Sequence, residues 1–189
     1  MKILYVHGFG SHFDPTHSKI KILRELGTVV GVDVEYCKGF EHSYNTVFDA
    51  VLAQEVDLII GTSMGGYIAA HVGAKTGTPF VALNPATIPS VNLQKWVGNF
   101  TDFSGNDHCL TDAVVEGYPE ITTDGWGLVI VESGDEIINA SDTVAMLENN
   151  FQVVKLNGGG HRFVHMELAL PIIREFYSRA NTSYGSCDL

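Results

Sequence analysis

At 189 residues, 45% of them hydrophobic, the chain is long enough to bury one substantial core, and no low-complexity run, internal repeat or Gly/Ser/Pro-rich linker divides it. Eleven Lys and Arg stand against 22 Asp and Glu, a net charge of −11, and no basic cluster forms; this argues against a nucleic-acid partner, since phosphate binding rests on grouped Lys and Arg. No apolar stretch reaches transmembrane length, and the start, Met1-Lys2-Ile3-Leu4-Tyr5-Val6, is too short for a signal peptide.

Ile3 to Val6 reads as a buried strand, followed by the loop His7-Gly8-Phe9-Gly10-Ser11. Ile20, Leu23 and Leu26 recur at helical spacing and predict a helix over 18–26, stopped by Gly27. Alternation of Val32, Val34 and Tyr36 predicts a second strand over 32–36, and Val47, Val51 and Leu52 mark one side of a helix over 43–54. A third strand over 58–60 runs into Gly61-Thr62-Ser63-Met64-Gly65-Gly66, after which the chain continues as a helix to about Gly73. Phe80 to Leu83 forms the fourth strand and leads into Asn84-Pro85-Ala86.

From there to about Gly125 the periodicity weakens. A helix is expected near 91–97 and a polar section around Gly105-Asn106-Asp107. Alternation resumes with a strand over 128–132, a helix over 141–147 and a strand over 152–156. A last helix has an apolar face that includes Leu168, Ile172, Ile173, Phe176 and Tyr177, and Pro171 begins or bends it. This order predicts an α/β protein, a parallel sheet of about six strands with helices on both faces. One domain over 1–189 is expected, with a short cap or lid insertion at about 87–125.

Ligands bind such sheets at the carboxyl ends of the strands, and the loops there carry His7, Gly8, Phe9, Ser63, Asn84, Asp135 and His161. Gly61 to Gly65 fits G-x-S-x-G, a turn that exposes a serine between strand and helix. A serine hydroxyl needs a base to take its proton and a third group to orient that base. The order Ser63, Asp135, His161 is the order expected of α/β-hydrolases, and a glycine run before His161 allows a tight loop. The backbone N–H groups of Met64 and Phe9 are the expected oxyanion donors. Glu136 beside Asp135 is the alternative acid, and His165 the alternative base. His7 and Asn84 border the same edge, as loop-fixing residues or as part of the substrate pocket. His12, Asp14 and His17 fit no zinc spacing. Trp96, Phe100, Phe103, Tyr118 and Trp126 either cap an acyl pocket or form a satellite cluster.

The chain resembles small α/β-hydrolase-fold esterases of the bacterial YqiA-like (UPF0227) group. The resemblance rests on His7-Gly8-Phe9, Gly61-Thr62-Ser63-Met64-Gly65-Gly66-Tyr67, Asn84-Pro85-Ala86, Ser133-Gly134-Asp135-Glu136 and the glycines before His161, in order over nearly the whole chain. It implies a trimmed sheet of order 2-1-3-4-5-6 and esterase activity on acyl esters, with Ser63, Asp135 and His161 as the matching triad. The expected chemistry is hydrolysis of carboxylic esters or thioesters through an acyl-enzyme, with neither cofactor nor metal and a small-molecule acyl substrate. A ligand-binding protein with this fold and a peptidase are the alternatives. Cys37, Cys109 and Cys187, odd in number and without C-x-x-C, suit reduced thiols in the cytoplasm.

Overall fold

The computed structural model describes residues 1–184, with only the backbone described over 181–184, so Cys187 lies outside the described residues. A six-stranded sheet, all parallel, is formed by β1 (Lys2–Val6), β2 (Thr28–Val32), β3 (Leu58–Thr62), β4 (Phe80–Leu83), β7 (Gly127–Glu132) and β8 (Gln152–Leu156). Two further short strands, β5 (Gly98–Thr101) and β6 (Asp107–Leu110), pair antiparallel and stand apart from it. The sheet order is β2-β1-β3-β4-β7-β8. With the hairpin strands set aside this is the expected 2-1-3-4-5-6.

Burial follows from position. The central strands β3, LIIGT, and β7, GLVIVE, are buried at every residue, as strands covered on both faces must be. The outermost strands, β2 and β8, leave residues part-exposed. Side chains alternate across the sheet. Leu4, Val6, Ile59, Ala82, Val129 and Val131 face α2 (Phe40–Gln54), α3 (Met64–Thr76) and α6 (Ala140–Leu147). Ile3, Tyr5, Leu58, Ile60, Leu83 and Ile130 face α1 (Ser18–Leu23) and α7 (Met166–Tyr184). Among the described residues no helix is long and apolar enough to cross a membrane.

Two expectations need correction, and one alternative is resolved. The second strand is Thr28–Val32, not 32–36. The β-branched run from Thr28 pairs with β1 in register, Lys2 opposite Thr28. Val34 and Tyr36 are buried for another reason: the chain passes over the carboxyl end of the sheet there, with Tyr36 in a 3-10 turn, Tyr36–Lys38. The helix expected near 91–97 is instead a single turn, α4 (Pro89–Asn92), and a 3-10 turn, Gln94–Trp96, followed by the β5–β6 hairpin. Of the two positions open to Pro171, the one inside the last helix is observed, since α7 starts at Met166.

The segment between β4 and β7 is rooted in the core. Leu93, Leu110, Val115 of α5 (Asp112–Glu116), Tyr118 and Ile121 are all buried against the face that carries α2 and α3. Tyr118 is further tied by its hydroxyl, which donates to the Tyr36 carbonyl at 2.7 Å.

Candidate active site

β3 delivers Ser63 to the first turn of α3 with φ 57° and ψ −122°. A side chain in that region of backbone space costs about 1–3 kcal/mol, so the surroundings must impose it. Three hydrogen bonds do so: Ser63 N–H donates to the Leu83 carbonyl at 2.9 Å, and the Ser63 carbonyl accepts from Tyr67 at 3.0 Å and Ala86 at 3.3 Å. Two glycines let strand and helix close up. A Cβ on Gly61 would lie 2.2 Å from the Gly65 carbonyl, and one on Gly65 would lie 2.1 Å from the Val6 carbonyl oxygen.

Two loops bring the partners to Ser63. Past β7, Asp135 Oδ1 accepts the N–H groups of Ile137 at 2.8 Å and Ile138 at 2.9 Å, which fixes a carboxyl side chain that is only 2% exposed. Past β8, His161 places Nδ1 3.0 Å from both Asp135 oxygens and Nε2 2.9 Å from Ser63 Oγ. A carboxylate only accepts, so Nδ1 carries the proton and Nε2 is left with a lone pair toward the serine hydroxyl. The imidazole therefore stands between hydroxyl and carboxylate in the tautomer a general base requires.

The alternative residues are engaged elsewhere. Glu136 Oε2 accepts the backbone N–H of His161 at 2.9 Å, a bond that lowers its pKa, and so holds the loop rather than the ring. The His165 ring lies beside Glu132, with Nδ1 3.1 Å from Oε1. Asn84, 1% exposed, donates through Nδ2 to the Gly160 carbonyl at 2.9 Å and accepts Glu132 N–H through Oδ1 at 2.7 Å. It clamps the loop of His161 to the end of β7.

His7, 2% exposed, has both ring nitrogens in use: Nδ1 faces the Gly8 carbonyl at 2.8 Å, and Nε2 accepts the Val34 N–H at 2.9 Å. Burial lowers its pKa from the ordinary histidine value of 6.5. Because the folded value is depressed, the contribution of neutral His7 is full above 6.5 and is lost as pH falls through the lowered value. The melting temperature of the wild type is thus expected to drop faster between pH 7 and 5 than that of His7→Gln. Parallel melting curves across that range would refute this.

The loop after β1 lies directly over the serine: a Cβ on Gly8 would sit 3.4 Å from Ser63 Cβ and 3.9 Å from Oγ. Phe9 follows, and among the described residues its N–H has no backbone acceptor. Met64, first residue of α3, likewise has no intrahelical acceptor. The ring of Phe9 packs against Trp96 at 6.0 Å and Phe100 at 5.1 Å between centroids. Phe103, at the hairpin tip, donates its N–H to the Gly10 carbonyl at 3.1 Å, and the Arg162 guanidinium lies 4.7 Å over its ring. Hairpin, β1 loop and the segment that carries His161 are thus in mutual contact at this end of the sheet. Of the aromatic set, Trp126 does not join them, because it precedes β7 and lies at the opposite end of the sheet.

One residue of this region was not singled out from the sequence. Glu132 closes an otherwise apolar strand and is fully buried. A carboxylate ending such a run was the available signal, since burial of a charge demands dedicated partners.

The parallel sheet, the strained serine between strand and helix and the histidine past the last strand define an α/β-hydrolase fold. Solved structures agree. Est1E from Butyrivibrio proteoclasticus is similar with a TM-score of 0.74 at 19% identity, over 96% of this chain and 88% of that one. A monoacylglycerol lipase of Paleococcus ferrophilus is similar with a TM-score of 0.68 at 14% identity, over 95% and 94%. The chain belongs to the uncharacterised protein family UPF0227, whose model matches residues 2–178. A UPF0227 protein of Yersinia pseudotuberculosis is 25% identical over 92% of this chain and 97% of its own length.

Proposed function

We propose that this protein is a serine hydrolase that cleaves small carboxylic esters or thioesters through an acyl-enzyme, in the cytoplasm and without a cofactor. The observation that carries the reading is the hydrogen-bonded series Asp135, His161, Ser63, with the serine at positive φ. The solved monoacylglycerol lipase with the same fold supports it. Ser63 Oγ attacks the substrate carbonyl while His161 Nε2 takes its proton, and Asp135 stabilises the imidazolium. The oxyanion is held by the N–H groups of Phe9 and Met64, the first over the serine and the second at the positive end of α3. Collapse breaks the bond to the leaving group, which departs with the proton from His161. Water, deprotonated by the same nitrogen, then releases the acid and restores Ser63. Phe9, Trp96 and Phe100 offer an apolar wall for the acyl chain.

Activated esters and acyl thioesters graded by chain length provide the test. One equivalent of alcohol per protein should appear in a burst, followed by steady turnover. Tight ligand binding without a burst would replace this reading by that of a binding protein, and cleavage of peptide amides but not esters by that of a peptidase.

A further inference from the structure

The loop from β8 to α7 has no regular hydrogen-bond ladder, so other groups must hold its backbone in place. One side chain takes three of its N–H groups. Glu132 Oε2 accepts Gly160 at 2.7 Å and Val164 at 3.2 Å, and Oε1 accepts His165 at 2.7 Å. These donors lie on both sides of His161 in the sequence. The carboxyl group is completely buried.

We infer that Glu132 is a positioning residue: by gathering N–H groups from before and after His161, its carboxylate fixes where the imidazole stands between Ser63 and Asp135. This rests on the proposed hydrolase reading.

The surroundings are built around that carboxylate. Gly159 packs directly on it: an added Cβ would lie 2.0 Å from Oε2 and 2.2 Å from Cδ. The glycine run before His161 therefore lets the loop reach a carboxylate as well as turn. Two basic side chains stand near. His165 Nδ1 is 3.1 Å from Oε1, an ion-pair distance off the line of a good hydrogen bond. Lys19, from α1, donates Nζ to the Arg162 carbonyl of the same loop. Burial brings its ammonium down to about 8, and attraction to Glu132 opposes that fall. Asn84, holding the Gly160 carbonyl and the Glu132 N–H, completes the support. Each carboxylate oxygen has donors, so neither can be exchanged for an NH2 group without turning a hydrogen bond into a donor-to-donor contact.

The test uses Glu132→Gln and Glu132→Asp in the full chain. Folding is checked by the melting temperature, and kcat is divided by the amount of folded protein. Misplacing a catalytic group by about 1 Å costs about 100-fold. The expected result is a kcat about 100-fold lower for Glu132→Gln, less for Glu132→Asp, with KM within about twofold. A second readout does not depend on turnover: the far-downfield proton resonance of an imidazole N–H held by a carboxylate, assigned to His161 by its loss in His161→Asn, should weaken or vanish in both variants. Unchanged kcat per folded molecule, or an unchanged resonance, in a variant that folds overturns the inference. If neither folds, the same readouts on His165→Phe decide it, with about a threefold loss of kcat expected and no change as the overturning result. A wild type with the resonance but no ester turnover would count against the hydrolase reading and leave the positioning role standing.

Discussion

Ser63→Ala is expected to lower kcat on any ester the protein turns over by about 10⁴–10⁶-fold, equivalent to about 5–8 kcal/mol of lost transition-state stabilisation. Labelling by a fluorophosphonate should vanish with it. The size follows from the geometry. With Oγ gone, His161 Nε2 keeps its place 2.9 Å from the former hydroxyl position but has nothing to deprotonate, and only the backbone donors and the pocket are left to act. The fold should be little affected, because alanine carries the same Cβ at the same positive φ. Ser63→Gly offers a sharper comparison. It should be as inactive as Ser63→Ala yet more stable, by about 1 kcal/mol, since only the backbone strain is released. Retained turnover in Ser63→Ala would sink the mechanism, and equal stability of the two variants would sink the account of the strain.

The second large effect concerns Gly65. An alanine there would bring Cβ to 2.1 Å from the Val6 carbonyl oxygen, 2.6 Å from that of His7 and 2.7 Å from the Val6 carbonyl carbon. All three atoms are backbone, at the point where β1 hands over to the loop carrying Phe9, so no side chain can swing aside. Either α3 or the end of β1 must move. A loss of about 3 kcal/mol is expected, together with most of the activity, because the displaced loop holds one of the two proposed oxyanion donors. Gly117→Ala is the control: its Cβ would come no closer than 3.3 Å to the Ala113 carbonyl, and it should fold and turn over normally. Thermal melts and ester assays on the two variants decide the matter, and similar behaviour of both would refute the steric account.

How much of this was legible in the sequence depended on how much of each signal is local. Central strands announce themselves, because a strand buried on both faces must be apolar at nearly every position, as 58–62 and 127–132 are. That Ser63, Asp135 and His161 would meet was equally readable, since the residue types follow from the chemistry expected of them and the chain order from the topology of the fold. The second strand was misplaced because Val34 and Tyr36 alternate and are buried, yet their burial comes from lying across the sheet end, not from pairing within it. The β5–β6 hairpin escaped notice because each strand has four residues and exposes half of them. Its turn is made instead by Asp102, whose carboxylate accepts the N–H groups of Ser104 and Asn106, both at 2.8 Å. Glu132 was missed for a deeper reason. Its three donors lie 28 to 33 residues away, and only the folded chain brings them together.

The roots of the segment between β4 and β7 bear on how a substrate could enter. Leu93, Leu110, Val115, Tyr118 and Ile121 lie in the main core, and exposing each would cost roughly 1.5–3 kcal/mol. Raising the whole segment like a door on its hinges would thus cost on the order of 10 kcal/mol, as much as a domain's entire stability. Bending the hairpin tip alone would break far fewer contacts. There Phe103, 68% exposed, is held by a backbone hydrogen bond to Gly10 and a stacked guanidinium, and Ser104 Oγ pairs with His12 Nδ1 at 2.7 Å. On the hydrolase reading proposed above, residues 102–106 are therefore the part of the segment that yields at least cost beside the loop carrying Phe9.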